Sequence, residues 1–307
     1  MTNDKNLKTY LSKAQQEHWA IGHFNFSTAE QLKAIVEAAA ELKSPVMVAT
    51  SEGEAEFVGY DQAVALVKSY QQAGYAVWLN ADHHKSFESA KKAIDAGYDT
   101  VLIDASRLNL DENIGTTSQV VQYAHRGLTS IMVEGELGYL RGSSEVQEKV
   151  EINPTDYTQP EQAADFVART GVERLAVVFG NIHGIVTEVI TTTPTPNGVG
   201  APTEASGEEK LDIEHLKKIT VAVPETILVL HGASGLPDED VRAAIAAGIS
   251  NVHINTELRV AYHDTLHAEL EKEPNQTTPY KFLASSQDAM KELVKKKLKL
   301  FGSVDKI

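Results

Sequence analysis

The chain has no cysteine among its 307 residues, which excludes disulfides and thiolate ligands and leaves His, Asp and Glu to hold any metal. Positive charge is scarce: 28 lysines and arginines face 43 aspartates and glutamates, a net charge of −15 with histidine neutral. A phosphate backbone requires a basic stripe, so nucleic acid is not an expected partner. No apolar run approaches the ~20 residues that span a bilayer. The first residues, Met1-Thr2-Asn3-Asp4-Lys5-Asn6, form no apolar h-region. Neither a membrane segment nor a secretory leader is expected, and a cytoplasmic setting fits. What is present is 42% hydrophobic and 23% charged, enough for a sizeable core.

Apolar runs alternate with helical patterns from end to end. Strands are expected near 18–24, 45–50, 76–82, 100–104, 130–134, 174–180, 226–231 and 251–255. Helices are expected near 28–42, 60–73, 87–96, 112–126, 160–169, 212–222, 238–247 and 257–272. Gly74, Gly97, Gly171 and Gly248 each stand just before a new strand. Eight such units predict an α/β fold, a single-domain (β/α)8 TIM barrel over 1–307, with its active site at the C-terminal ends of the strands. The competing architecture, a doubly wound open sheet, lacks its G-x-G-x-x-G turn here. Two long connections interrupt the rhythm, at about 138–159 and 187–210. The second contains Thr191–Pro202, which is expected to stay irregular. Both are read as lids, substrate contacts or irregular segments. Lys291, Lys295, Lys296, Lys297 and Lys299 predict a C-terminal helical tail with a solvated face.

Three of the 11 histidines share one setting, the end of an apolar run: His83, His183 and His231. Gly184 and Gly232 follow two of them and allow a ligand to approach the backbone. In a barrel these ends meet on one face, where three imidazoles make a first shell for a divalent metal with an open position. Neutral imidazoles suit Zn2+ or Co2+, Zn2+ first. Asp82 is either an N-cap, an outer partner of a histidine, or a general acid/base beside a Lewis acid. Glu134 and Glu136, two apart on a strand, both face the interior. They hold a second or alternative metal position, orient a histidine, or pair with Arg141. Gly232-Ala233-Ser234-Gly235 opens a helix and would cradle a phosphate, with Asn255-Thr256 beside it at the eighth strand end.

These segments resemble the class II, metal-dependent fructose-bisphosphate aldolases, including the tagatose-bisphosphate enzymes. The likeness runs from about Trp19 to about Met290. It rests on Phe24-Asn25-Phe26-Ser27, Ser51-Glu52-Gly53, Ala81-Asp82-His83-His84, Ile103-Asp104-Ala105-Ser106, Val133-Glu134-Gly135-Glu136, Gly180-Asn181-Ile182-His183-Gly184, Leu230-His231-Gly232-Ala233-Ser234-Gly235 and Asn255-Thr256-Glu257-Leu258-Arg259, all in the family's order. The resemblance implies a (β/α)8 barrel acting on sugar phosphates as a homodimer or larger assembly. His83, His183 and His231 would hold catalytic Zn2+. Asp104 and Glu134 would be outer or alternate metal positions, with room for a second divalent or a monovalent cation. Asp82 would handle the proton of the C4 hydroxyl. Gly184, Gly232, Ser234 and Thr256 would bind the phosphate of dihydroxyacetone phosphate and Arg259 the second phosphate, with Asn25, Ser51, His253 and Asn255 completing the substrate site. The implied reaction is reversible cleavage of fructose 1,6-bisphosphate to dihydroxyacetone phosphate and glyceraldehyde 3-phosphate, a step of glycolysis and gluconeogenesis. Lys85 reads as a solvated helix-start residue, since no Schiff-base lysine is required.

Four positions depart from the family pattern. The loop after the fifth strand reads Leu140-Arg141-Gly142-Ser143-Ser144-Glu145, which leaves Glu145, then Glu148, as candidates to carry the substrate proton. His253 replaces an asparagine, Val186-Thr187 a tyrosine–lysine pair, and Tyr280 a basic residue. Arg141 and Lys281 are candidate replacements for the lost positive charge. Two readings compete with fructose-bisphosphate cleavage at the level of substrate: the tagatose epimer and a less phosphorylated ketose. Two compete at the level of class: a zinc hydrolase, and a barrel that binds sugar phosphates without turnover.

Overall fold

The computed structural model describes residues 6–126, 131–193, 201–206 and 210–307. The chain begins with α1 (Leu7–Glu17), β1 (Ile21–Asn25), α2 (Ala29–Glu41), β2 (Val46–Ser51), α3 (Glu52–Val58), α4 (Tyr60–Gln72), β3 (Val77–His84), α5 (Phe87–Ala96), β4 (Thr100–Ile103), α6 (Leu110–Ala124) and β5 (Met132–Leu137). It continues through β6 (Gly142–Ile152), α7 (Pro160–Thr170), β7 (Arg174–Val177), β8 (His183–Thr193), β9 (Ala201–Ser206), α8 (Ile213–Ala222) and β10 (Ile227–Leu230). It ends with α9 (Asp238–Ala246), β11 (Ile249–Ile254), α10 (Thr256–Lys272), α11 (Pro279–Phe282) and α12 (Ala284–Leu300).

Eight parallel strands close into a barrel in the ring order β1, β2, β3, β4, β5, β7, β10, β11, as the strand–helix alternation predicts. Helices cover these strands outside, so both faces are buried and the strands read as nearly unbroken apolar runs. Helix ends carry their own signals. Ser51 and Ser86 each build a capping box, and Gly97 and Gly171 take the left-handed C-cap conformation. The N-terminal mouth is plugged by α1, whose Leu7, Leu11 and Ala14 pack on Trp19, Ile21, Met47, Trp78 and Ile227. The lumen itself is unusual. Branched apolar side chains normally fill it; here His23, Asn80, Thr100, Glu134, Arg174 and Asn251 are buried and joined by hydrogen bonds or ion pairs.

Two expectations are corrected. The long connections after β5 and β7 are not irregular: β6, β8 and β9 form a separate three-stranded sheet, with β6 parallel to β8 and β9 antiparallel to it. Ile185–Thr193 is dense in β-branched residues and pairs readily. Thr191–Thr193 end β8, and Ala201-Pro202 open β9 at its edge. The rest of the Pro/Gly run, 194–200, lies outside the described residues. The lysine-rich tail is helical, but its face is not wholly solvated. Lys297 is buried against Glu257 at 2.7 Å, and Lys291 and Lys295 pair with Glu37 and Glu41 of α2.

Candidate metal and substrate site

At the C-terminal ends of the strands lies a cavity of about 530 Å³. Asn25, Ser51, Asp82, His83, Asp104, His183, Gly184, His231, Gly232, Ser234, His253, Asn255, Thr256 and Arg259 all line it. Adjacent strand residues normally point to opposite faces. Asp82 and His83 escape that rule because His83 takes φ 47° and the β3–β4 register shifts between Ala81 and His84. A non-glycine residue in the left-handed region carries strain that its surroundings must hold.

Three imidazole nitrogens converge. His83 Nε2 lies 3.3 Å from His183 Nε2 and 3.1 Å from His231 Nδ1. Tetrahedral Zn–N bonds of about 2.05 Å place ligand nitrogens about 3.3 Å apart, so the spacing suits a shared ion. The outer atoms point the lone pairs inward. His83 Nδ1 donates to Asp104 Oδ2 at 3.1 Å, and His231 Nε2 donates to Glu134 Oε1 at 2.8 Å. His231 is left with its free nitrogen facing the cluster, and His83 presents there the nitrogen whose proton a metal would displace. Among the described residues the donor set therefore fits a divalent metal, through chemistry and spacing together.

The charges around the cluster are strongly biased. Burial opposes the charge of His83, but Asp82, Asp104 and Glu136 outweigh it and hold the imidazolium up to about 10. A metal must displace that proton. Burial holds His183 well below the usual histidine range, helped by His83 and His231. Burial, with Asp104 beside it, pushes Glu136 up to about 7. Asp82 is buried, yet His83, His253 and His23 hold it well below the usual carboxylate range. Its Oδ2 accepts from Asn25 Nδ2 at 3.0 Å.

On the opposite wall, Gly232 (φ +69°) and Gly184 (φ +93°) admit no side chain: a Cβ would stand 1.8 Å from Ile182 O and 2.2 Å from Glu145 O. Ser234 and Thr256 flank them, with Ser234 Oγ accepting from the Glu257 N–H and Thr256 Oγ1 3.3 Å from Ser144 Oγ.

Several residues are placed differently from expectation. Glu145 is exposed and does not line the cavity; Ser143 and Ser144 do. Arg141 pairs with neither Glu134 nor Glu136: its Nε and Nη2 hold Asp156 at 2.6 and 3.1 Å. Lys281 lies on α11, away from the cavity. Lys85 is exposed just ahead of α5, as expected, and it also lines the cavity together with Arg107, which sequence reasoning missed. Also missed is Arg174, the buried partner of Glu134 at 2.9 Å. Its one signal is a charge at the head of an apolar strand. His253 lines the cavity but stacks on His23, with ring centroids 3.4 Å apart and planes within 5°.

Comparison with known proteins gives the family. The family profile described as "Fructose-bisphosphate aldolase class-II" matches residues 5–306. The chain belongs to the class II fructose-bisphosphate aldolase family. This class II aldolase is thus a carbon–carbon lyase, and its family is generally metal-dependent. It is 36% identical to the fructose-bisphosphate aldolase of Geobacillus stearothermophilus, covering 98% of each chain. Among solved structures, the YdjI aldolase from Escherichia coli K12 aligns with a TM-score of 0.78 at 31% identity, covering 98% of both chains. Fructose-bisphosphate aldolase (Fba) from Campylobacter jejuni aligns with a TM-score of 0.77 at 21% identity, covering 99% of this chain and 95% of that one, a likeness of fold. Among the described residues no helix is long and apolar enough to cross a membrane.

Proposed function

We propose that the chain is a Zn2+-dependent aldolase that reversibly cleaves fructose 1,6-bisphosphate to dihydroxyacetone phosphate and glyceraldehyde 3-phosphate. The observation that carries this reading is the convergence of three imidazole nitrogens beside Asp82 in one cavity. His83, His183 and His231 hold the ion, with Asp104 and Glu134 behind them. The ion supplies Lewis-acid pull on the ketone, which acidifies the neighbouring C–H and favours electron density left on C3. Asp82 accepts the proton of the C4 hydroxyl as the C3–C4 bond breaks, and returns it in condensation. Asn25 fixes its Oδ2 for that task. A proton must then be added to C3. Glu145, beside Ser144 at the cavity edge, is our candidate carrier and would have to swing inward. The N–H groups around Gly184 and Gly232, with Ser234 and Thr256, cradle the first phosphate. Arg259 meets the second, with Ser51 and Asn255 lining its approach and His253 closing the floor. The reading extends to a cytoplasmic enzyme of glycolysis and gluconeogenesis that works as a homo-oligomer. Support for that extension is the family and the cysteine-free composition.

A second reading rests on one observation. Arg141 is tied to Asp156 and Lys281 lies off the cavity, so neither replaces the charge absent at Tyr280. The far phosphate then lacks those two contacts, and a less phosphorylated ketose serves as substrate; the tagatose epimer keeps both phosphates and is told apart by assay alone. Cleavage of each ketose, coupled to triose-phosphate detection before and after EDTA, separates the readings. Chelation-sensitive activity restored by Zn2+ supports the aldolase. A strong preference for fructose 1,6-bisphosphate removes the second reading, and equal efficiency on a monophosphate supports it. Metal and sugar-phosphate binding without cleavage sinks both.

A further inference from the structure

Among the described residues Arg174 is the largest fully buried side chain, and it does not line the cavity. Its guanidinium sits in the lumen beneath the site. Nη1 donates to Asn251 Oδ1 at 3.1 Å and stands 2.9 Å from Glu134 Oε2. Nη2 donates to Asn80 Oδ1 at 2.8 Å and Thr100 Oγ1 at 3.1 Å. A guanidinium can only donate, so every neighbour turns an acceptor toward it. Their other ends are assigned by elimination. The Asn80 amide nitrogen faces His23 Nε2 at 3.0 Å, so His23 accepts there. The Asn251 nitrogen donates to Ile21 O at 2.9 Å, which leaves Oδ1 to accept from His253 Nε2 at 3.2 Å. The remaining oxygen of Glu134 accepts from His231 Nε2.

We propose that Arg174 is a positioning residue that assigns, from beneath the site, which nitrogen of His231, His253 and His23 carries the proton. It holds Glu134 in place, and that carboxylate, an acceptor only, keeps the His231 lone pair on Nδ1, the atom that faces His83. Through Asn251 it holds a proton on Nε2 of His253, whose Nδ1 lies 3.6 Å from Asp82 Oδ1. The consequence for ion affinity rests on the metal reading above, whereas the tautomers are a property of the metal-free chain.

The test uses E134Q, R174M and the double variant in the full chain. In E134Q, Arg174 still demands an acceptor, so the new amide turns its oxygen to the guanidinium and its NH2 to His231. That drives the imidazole proton to Nδ1, the ligand atom. Co2+ and Zn2+ should bind on the order of 100-fold more weakly. The 15N–1H spectrum of the metal-free protein should show His231 as the Nδ1–H tautomer, assigned by loss of its signal in H231Q. In E134Q/R174M the amide can turn over, so Co2+ affinity should recover on the order of 10-fold and the Nε2–H signature should return. The double variant buries no unpaired charge, so it keeps the comparison open should R174M alone fail to fold; thermal unfolding verifies each. E134Q with wild-type affinity and tautomer overturns the proposal. So does a folded double variant that binds no better than E134Q. A wild-type chain that binds neither ion but shows the His231 Nε2–H signature supports the assignment and overturns the metal reading.

Discussion

At the scale of single residues, the site depends on backbone placements that side-chain identity alone would not produce. Asp82 and His83 share the cavity because His83 accepts a left-handed conformation within β3. Asp82 then stands beside the imidazole cluster with one oxygen tied to Asn25. Asp82→Asn keeps the size and that contact but cannot take up a hydroxyl proton. We expect kcat to fall by about 10²–10⁴-fold with bound metal unchanged, read from steady-state kinetics and metal content; loss of the metal in this variant would refute a proton-transfer role. Gly232 is constrained twice, by its φ and by Ile182 O against the missing Cβ. Gly232→Ala should destabilise the fold by about 1–3 kcal/mol in denaturant unfolding. It should also raise KM for the phosphorylated substrate, because the backbone of the cradle must shift. An unchanged KM would remove this turn from phosphate binding.

At the scale of elements, the barrel is legible in the sequence and the cover over its site is not. Strands such as Ile227–Leu230 show as apolar runs because helices bury them outside and packing buries them inside. The ends of those runs mark His83, His183 and His231, so the cluster can be read before any coordinates. The small sheet of β6, β8 and β9 is hidden, because the Pro/Gly run beyond Thr193 masks the β-branched stretch before it. Arg174 and His23 are hidden for another reason: their partners Asn80, Glu134 and Asn251 lie on other strands, far away in sequence. The same sheet carries a testable contact. Gln147 of β6 donates to Ser143 O at 2.9 Å and His183 O at 2.8 Å, and accepts from Ser143 N at 3.0 Å. It ties the irregular start of β6, where Ser143 and Ser144 reach the cavity, to the backbone of His183. Gln147→Ala should lower kcat/KM about 10-fold with the metal retained, since it frees this serine segment without touching a ligand. Full activity in this variant would mean that the serine segment holds its place without Gln147.

At the scale of the whole molecule, the three histidines come from two sides of the ring, since β7 and β10 are hydrogen-bonded neighbours and β3 stands across from them. His83 lies on β3, His183 follows β7 and opens β8, and His231 follows β10. An ion shared by them ties β3 across the mouth to the opposite wall. The lumen beneath is a polar network with a buried charge pair, which is costly to desolvate and depends on its geometry for compensation. Binding to the native ring alone must shift the folding equilibrium toward it. At a free Zn2+ concentration about 100 times Kd, that linkage contributes about 2.7 kcal/mol. A chain of this size gains roughly 2 °C in Tm per kcal/mol, so Zn2+ should raise Tm by about 5 °C over the chelated protein in calorimetry. His231→Ala leaves two imidazoles and should abolish most of that rise, while the chelated variant still unfolds in a single transition. If the rise persists in His231→Ala, the ion stabilises the barrel from some other place, and the three-histidine assignment falls with it.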